Sequence, residues 1–125
     1  MSLSIRTPYK NILTDFTDFA SISTKTDEGV LVISNNMPPA LHILEPGFVK
    51  VKLKNSKEAD EFSGEIIHSG GWAVIHPDNT CEISLLEGLD KKDLNASGLS
   101  KSDFIDDNGN VFVEKIQKKA YERIS

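Results

Sequence analysis

Three histidines and a serine that neighbours one of them are the first residues to test for chemistry. His68 and Ser69 are adjacent in the sequence. In a strand, adjacent side chains point to opposite faces, so this pair cannot work together as base and nucleophile. His42, His68 and His76 also lack the four-residue helical spacing and the nearby carboxylates of a metal site. We therefore predict structural or surface histidines, and no catalytic residue, metal or cofactor.

The acidic stretch Asp106-Asp107-Asn108-Gly109 is a second candidate, because calcium-binding loops contain similar sequences. With Gly109 at the sixth position of such a loop, Phe104 would occupy the first ligand position and Lys115 the last. The last position requires a bidentate acid, and the first requires an oxygen ligand. The sequence therefore excludes a calcium loop of this type.

Cys81 is the one cysteine of the chain, so it has no second thiol for a disulfide or a metal site. It lies in the alternating segment Cys81-Glu82-Ile83-Ser84-Leu85. Free cysteine behaves as a small apolar residue, and we predict that this one is buried. A chain of this kind is typical of a reducing compartment.

The glycine-bearing segment Ser69-Gly70-Gly71 resembles a phosphate loop in composition only. Such loops bind anions at the N-terminus of a following helix, and here a strand-like run follows. We therefore predict a turn or a closely packed bend. Trp72, the next residue, is predicted to be a core or inter-sheet aromatic.

A second loop stands out for its stiffness. Asn35-Asn36-Met37-Pro38-Pro39 lies between two apolar segments. Proline restricts the backbone, and an exposed methionine adapts to irregular surfaces. The local chemistry fits a rigid contact loop as well as an ordinary turn.

Composition limits the classes of partner. The chain has 125 residues and a net charge of −5, with 14 Lys and Arg against 19 Asp and Glu. This length fits one ordinary domain. Without a dense basic stripe the chain cannot neutralise many phosphates, so we expect no nucleic-acid partner and no polybasic patch that binds a membrane. No apolar run approaches the ~20 residues that cross a bilayer, and the N-terminus lacks the apolar core of a secretory signal.

Alternation of apolar and polar residues is the dominant structural signal, and it predicts strands with one buried face. In Phe48–Lys54, Val49, Val51 and Leu53 alternate with Lys50, Lys52 and Lys54. We interpret the lysine row as the solvated face of a sheet. The predicted strands are Leu3–Thr7, Phe19–Thr24, Val30–Ile33, Phe48–Lys54, Gly64–Ser69, Gly71–Ile75 and Cys81–Leu86.

Turn-forming residues separate these strands at short intervals, which indicates a mainly β sandwich or barrel. From Leu89 the pattern changes, and residues 89–104 are predicted to be a linker or a frayed helix. A helix is predicted over Val111–Ile124 with Asn110 as its N-cap. The expected organisation is a β domain of residues 1–88 followed by a linker and C-terminal helix over 89–125. The apolar stripe of the helix consists of Val113, Ile116, Ala120 and Ile124.

The order of these loops and strands resembles a known family, the central-stalk subunit of F-type ATP synthase. That subunit is called epsilon in bacteria and delta in mitochondria. The first landmark runs from Gly29 through the apolar residues to Ile33, then through Pro39-Ala40-Leu41-His42-Ile43-Leu44 to the turn Glu45-Pro46-Gly47. The second runs from Ser69-Gly70-Gly71-Trp72-Ala73-Val74 through His76-Pro77-Asp78 to Leu85-Leu86-Glu87. Residues 3–95 fall within the resemblance, and the second landmark is closer to mitochondrial members.

The resemblance implies an antiparallel β-sandwich of two stacked sheets, followed by a short C-terminal helical segment. It also implies a non-catalytic subunit that couples rotation of the proton-driven membrane rotor ring to the gamma subunit and the catalytic head. The implied location is the matrix side of the mitochondrial inner membrane, peripheral through partners, or the cytoplasmic face of a bacterial inner membrane. Further expectations are a small stalk subunit as an additional partner and no homo-oligomer.

By position, the resemblance assigns contacts with partners to two segments. These candidate interface residues are Asn35, Asn36, Met37, Pro38, Pro39, Ser69, Gly70 and Gly71, and the structural turn residues are Gly29, Pro46 and Gly47.

The sequence departs from the family at three places. Val32 stands where the family usually has glycine, and Met37 stands where a histidine is common. The C-terminal sequence predicts one helix, over Val111–Ile124, where the bacterial family members have a two-helix hairpin. A regulatory ATP-sensing hairpin is therefore not expected. Two other function classes stay open at this stage: a free-standing β-sandwich module that binds peptide or carbohydrate, and a small enzyme with a site assembled from distant residues.

Overall fold

A computed structural model describes residues 1–54, 64–108 and 110–122, with the side chain of Lys101 left out. Strands fill the first three quarters of the chain and helices the last quarter. The strands are β1 (Ser2–Arg6), β2 (Asn11–Phe16), β3 (Phe19–Thr26), β4 (Gly29–Ile33), β5 (Ala40–Leu44), β6 (Gly47–Leu53), β7 (Glu65–His68), β8 (Gly71–Ile75), β9 (Thr80–Leu85) and β10 (Gly88–Asp90). The helices are α1 (Lys91–Ala96), a 3-10 turn (Lys101–Phe104) and α2 (Val113–Glu122).

Hydrogen bonding joins the described strands into a single ten-stranded sheet in the order β10-β7-β6-β3-β5-β8-β9-β1-β2, with β4 paired to β3. The prediction of two separate stacked sheets is therefore wrong, and the sheet is instead curved into a nearly closed barrel. The link between its halves is the pair Thr26↔Leu44 of β3 and β5, extended by the bond from the Glu45 N–H to the Lys25 carbonyl. One pairing is parallel, between β1 and β9, where antiparallel pairing was expected throughout.

The core explains why the sheet curves. Its buried residues come from strands at both halves of the path, such as Ile22 of β3, Ile66 of β7, Ile83 of β9 and Leu3 of β1. Each strand buries alternate residues, so one face of the sheet must wrap around a common interior. Near the open edges, a Cβ on Gly88 would lie 3.5 Å from the Cδ1 of Ile12, so the β2 and β10 ends approach each other.

Strand β6 follows the predicted alternation. Val49 and Val51 are buried, while Lys50 and Lys52 are exposed, which confirms the lysine row as an outer face of the sheet. Strand β2 was not predicted. Its register with β1 is irregular, and Asp15 within it has a positive φ of 50°, so its sequence lacks a clean period of two.

The C-terminal helices pack on the outer face of β7 and β10. Ile116 of α2 is fully buried and packs with Ile67, Leu89, Leu94 and Phe104 in a second apolar cluster. An amphipathic helix gains most of its stability from such docking. This confirms the stripe at Ile116, whereas Ile124 lies outside the described residues.

The helix α2 begins at Val113, so the prediction of Asn110 as its N-cap is wrong. The backbone of Asn110 is engaged elsewhere: its carbonyl accepts from the Asp106 N–H at 2.8 Å, and its N–H donates to Asp106 Oδ1 at 2.9 Å. A β-bridge between Ile105 and Val111 closes this short loop. The bridge holds Val111 in an extended conformation and delays the start of the helix.

The predicted boundary at residue 88 falls within β10, which pairs with β7. Residues 89 and 90 therefore belong to the sheet, and the division into two units stays a prediction. Among the described residues, none of the helices has the length and apolar content required to span a bilayer.

Candidate partner-contact surface

The outer side of the paired strands β5 and β8 carries large apolar side chains that nothing in the described chain covers. Ile43 on β5 is directly opposite Trp72 on β8, and Leu41 is opposite Val74. The opposite face of these strands is buried through Leu44 and Ala73, so both faces carry apolar side chains. We call the exposed set on these two strands the apolar face; its members, 43–62% exposed, are Leu41, Ile43 and Trp72.

Trp72 was predicted to be a core aromatic, and the structure shows that this is wrong. Ala73 and Ile75 are buried and therefore point inward. Because successive strand side chains alternate between faces, Trp72 lies on the outer side of β8. A tryptophan exposed among aliphatic residues is typical of interface cores and not of solvated sheet faces.

The loop of residues 34–39 lies at one end of β5 and is tied to two other parts of the chain. Asn35 Oδ1 accepts from the N-terminal amine of Met1 at 2.5 Å and from Asn79 Nδ2 at 3.1 Å. The Asn36 N–H donates to Asn79 Oδ1 at 3.0 Å. Asn36 and Asn79 both have positive φ, 61° and 65°, a conformation that asparagine tolerates well. These bonds hold the loop in one shape.

Within this loop the prolines and the methionine differ. Pro38 and Pro39 are exposed. Met37 is half-buried and packs against the core, and its sulfur accepts from the Ser34 N–H at 3.2 Å. The expectation of an exposed, adaptable methionine is therefore wrong, and a partner would meet Asn35, Asn36 and the two prolines instead.

The Ser69-Gly70-Gly71 segment lies at the other end of β5 and β8. Ser69 is buried, its hydroxyl bonds to Glu87 Oε2, and its N–H donates to the Glu87 carbonyl at 3.1 Å. Gly70 has a φ of 120° and donates its N–H to His68 Nδ1 at 3.0 Å. The predicted turn is confirmed, and its buried atoms shape the surface around Trp72.

The two predicted contact segments are thus separated by the length of β8. In the β5–β8 pairing, Ala40 is opposite Ile75 beside the first segment, and Leu44 is opposite Gly71 beside the second. Five residues of strand span about 13 Å. The structure does not bring the segments together, but it places the apolar face between them.

Of the predicted turn residues, Gly29 has a φ of 120°, which favours glycine. Gly47 is different, since it is the first residue of β6 and is absent from the positive-φ glycines. A Cβ at Gly47 would meet only the Glu45 carbonyl oxygen, at an ordinary 3.8 Å. Its turn therefore imposes no glycine conformation.

Comparison with known proteins connects this geometry to a family. No family model matches the chain. A curated relative, subunit delta of mitochondrial ATP synthase from Agaricus bisporus, is 26% identical over 99 residues, which are 79% of this chain and 57% of the relative. A chain in the solved central stalk and c-ring of the Tetrahymena thermophila mitochondrial ATP synthase is 35% identical, with a TM-score of 0.68. That match covers 98% of this chain and 89% of the other.

The chain belongs to the central-stalk delta subunit family of mitochondrial ATP synthase. The resemblance seen in the sequence is confirmed. A chain of the Euglena gracilis mitochondrial ATP synthase, 20% identical over 82% of this chain with a TM-score of 0.63, shares the fold. The matched part spans somewhat more than half of the Agaricus delta subunit.

A delta-family subunit is non-catalytic, and the candidate chemical residues have structural surroundings here. His68 is fully buried, its Nδ1 accepts from Gly70, and burial lowers its pKa to about 4. Cys81 is buried as predicted, and burial raises the pKa of its thiol to about 11. Asp106 Oδ1 accepts from the backbone N–H groups of Asn108 and Asn110, as in an ordinary turn.

Sequence reasoning missed one cluster in this delta-family chain. A cavity of about 480 Å³ lies between α2 and the β1–β2 and β9–β10 turns. Beside it, the Tyr121 hydroxyl donates to Glu87 Oε1 at 3.3 Å, and the Tyr9 and Tyr121 rings meet edge to face at 6.3 Å. The Glu87 charge, and then Tyr9, raise the pKa of Tyr121. No local pattern signals this cluster, because its residues come from distant segments.

Proposed function

We propose that this chain couples rotation within a mitochondrial ATP synthase: it packs on the gamma subunit and rests on the membrane rotor ring. Rotation of the proton-driven ring then reaches the catalytic head without slippage, and ATP is made by other subunits. Membership of the central-stalk delta family supports this role. The matched Tetrahymena chain belongs to a solved central stalk and c-ring, which is consistent with a stalk subunit and the rotor ring as partners of this chain.

The observation that carries the proposal is the apolar face. Contiguous exposed apolar surface rimmed by polar residues marks an interaction site in a soluble chain. Leu41, Ile43 and Trp72 would lose their contact with water when a partner covers β5 and β8, and such burial stabilises an interface. Tryptophan is enriched at the centre of interfaces, so Trp72 is the expected anchor.

The two predicted contact segments would border this interface. The exposed part of the loop, Asn35, Asn36, Pro38 and Pro39, is a rigid projection that we place near the rotor ring. Ordering such a loop on binding has little entropic cost, because its hydrogen bonds to Asn79 already hold it. The Ser69-Gly70-Gly71 turn is the candidate contact at the other end, where it presents Trp72.

The finer location and further partners follow from the same proposal. A stalk subunit of this family would lie on the matrix side of the inner membrane and be peripheral to it through its partners. A small stalk subunit would be a further partner, whereas nucleic acid and a second copy of this chain would not. A free-standing binding module, the alternative function, is not favoured, because the match to a solved central-stalk structure covers 98% of this chain.

The experiment compares the double variant Leu41→Ser/Ile43→Ser with the control Phe112→Ser. All three side chains are exposed and apolar, but Phe112 belongs to a different element, since it immediately precedes α2 and bonds to Phe104. The double variant should fold normally and bind the gamma subunit about tenfold or more weakly, as expected for interface anchors. The control should co-purify with gamma like the unchanged chain.

Two readouts make the result decisive. Isolated complexes with the double variant should hydrolyse ATP yet lose proton-driven synthesis, because the head would no longer be coupled to the ring. A double variant that retains gamma binding and synthesis would overturn the proposal. Equal loss in the Phe112→Ser control would also count against the assignment of the interface to β5 and β8.

A further inference from the structure

The lysine row of β6 forms a second surface that the apolar face does not include. Lys50 and Lys52 are exposed on the outer side of β6, and Lys54 follows the strand with the same parity. Across β3, their neighbours are Ser23 and Ser21. These serines are short and uncharged, so they leave the row open on its β3 side. On the β7 side Lys50 is opposite Glu65, whose carboxylate is paired with Lys91.

A groove continues the row at its β3 side. It has a volume of about 190 Å³ and is open to solvent. Lys50 provides its main positive charge, because Lys25 on the other wall is also paired with Glu45. Phe48 and Val30 provide an apolar wall, with Lys50 Nζ 5.9 Å from the centre of the Phe48 ring. Ser23 and Asn110 add polar groups that can bond to an oxygen ligand. A short side chain that ends in a carboxylate fits this chemistry.

Three acids near this surface already have partners among the described residues. Glu45 Oε2 is 3.8 Å from Lys25 Nζ, Glu65 Oε2 is 3.5 Å from Lys91 Nζ, and Asp106 accepts from backbone N–H groups. Lys50 and Lys52 therefore remain as a local concentration of positive charge on a chain whose net charge is −5. Such a local reversal of sign selects a partner by complementarity.

The spacing of the lysines indicates the shape of that partner. Side chains two residues apart on a strand are separated by about 6.6 Å. Side chains four residues apart on a helix are separated by about 6 Å along its axis. A helix laid along β6 could therefore place a carboxylate opposite each of Lys50, Lys52 and Lys54.

We propose that the outer face of β6, with its groove at Lys25 and Lys50, docks an acidic α-helix of a partner protein that carries carboxylates at every fourth residue. An anionic bilayer is a poorer fit, because the chain as a whole is acidic and would be repelled by anionic headgroups. The proposal is independent of the apolar face, which is formed by other strands.

The probe is a synthetic helical peptide with glutamate at positions i, i+4 and i+8 and alanine between, and its control is a peptide of the same composition with the glutamates spread around the helix. The in-register peptide should bind the full chain at least about threefold more tightly, since exposed ion pairs are individually weak. Binding should decline strongly at high salt. Equal affinity for both peptides would overturn the proposal.

Variants locate the surface. Lys50→Glu/Lys52→Glu should abolish the preference for the in-register peptide, whereas Lys92→Glu/Lys118→Glu makes the same change in net charge at exposed positions on the helices and should keep it. Leu41→Ser/Ile43→Ser should also keep it, which separates this surface from the gamma-binding proposal. If vesicles of anionic phospholipid bind the chain through Lys50 and Lys52 while neither peptide does, the surface recognises lipid and the proposal is wrong.

In the assembled complex, a carbodiimide reagent that joins amines to carboxylates gives an independent check. Lys50 or Lys52 should become linked to a glutamate or aspartate within a helix of a neighbouring subunit, identified by mass spectrometry. Links from Lys92 and Lys118 but none from Lys50 or Lys52 would contradict the proposal.

Discussion

Gly71 lies directly against the backbone of β9, so that a Cβ at this position would overlap the carbonyl oxygen of Ser84. The same Cβ would be only 2.9 Å from the Cα of Leu85. The closeness arises because Gly71 pairs with Leu85 at the start of β8, where the chain has just left the Ser69-Gly70 turn. The predicted contact segment can pack this closely against β9 only because residue 71 has no side chain.

The first prediction follows from this contact. Gly71→Ala should lower the free energy of unfolding by about 2 kcal/mol or more, because the obstacle is backbone and cannot rotate away. Gly47→Ala is the matched control, since its Cβ would have an ordinary contact at 3.8 Å, and it should change stability by less than about 1 kcal/mol. Urea unfolding followed by Trp72 fluorescence measures both. Similar losses in the two variants would contradict the close approach at Gly71.

The second prediction concerns the attachment of α2 to the sheet. Tyr121→Phe removes the hydroxyl that donates to Glu87 and keeps the ring beside Tyr9. Backbone amides of α2 should then exchange with solvent faster, while those of β8 and β9 keep their protection. Tyr9→Phe is the control, because it retains both the ring contact and the bond to Glu87. Hydrogen exchange followed by mass spectrometry separates the helix from the strands, and unchanged exchange in α2 would refute the attachment.

The sequence predicted strands best where one face is buried and the other is solvated, as in β6. There the alternation of Val49 and Val51 with Lys50 and Lys52 records the two environments directly. Trp72 was misplaced for the opposite reason. A strand with apolar residues on both faces is predicted to be fully buried, yet Trp72 on the outer face of β8 is 43% exposed in the isolated chain.

Relationships across the sheet were beyond the reach of local patterns. The parallel pairing of Ile5 with Ile83 and the link between Tyr121 and Glu87 join segments that are far apart in the sequence. The joining of the two halves into one sheet depends on the pair of Thr26 and Leu44 and on the adjacent bond from the Glu45 N–H to the Lys25 carbonyl. For the candidate surface, proline and asparagine content indicated the loop at residues 35–39, but not its tie to Asn79.

The third prediction concerns Cys81. Its thiol is buried on β9, and desolvation raises its pKa to about 11, so the reactive thiolate is scarce at neutral pH. The folded chain should react with a thiol reagent such as DTNB far more slowly than the chain in urea. As a positive control, Asn36→Cys adds an exposed thiol on the contact loop, which should react rapidly in the folded state. Rapid reaction of the unaltered folded chain would show that Cys81 is accessible.

The fourth prediction is that stability declines as the pH falls from about 6.5 towards 4 because of His68. Burial lowers the pKa of this histidine from 6.5 to about 4, so the unfolded chain binds a proton in this range that the folded chain excludes. Stability rises with pH wherever the unfolded state binds more protons, so the contribution is complete above 6.5 and lost on the way down to 4. A shift of this size corresponds to about 3 kcal/mol.

Urea midpoints measured between pH 7.5 and 5 test this contribution before most carboxylates become protonated. His68→Gln cannot take up the proton and should flatten the profile over that interval, even though the variant loses stability at pH 7.5 through altered packing. The comparison therefore rests on the slope and not on the absolute stability. If the slope is as steep in His68→Gln as in the unaltered chain, His68 does not control the acid sensitivity of the fold.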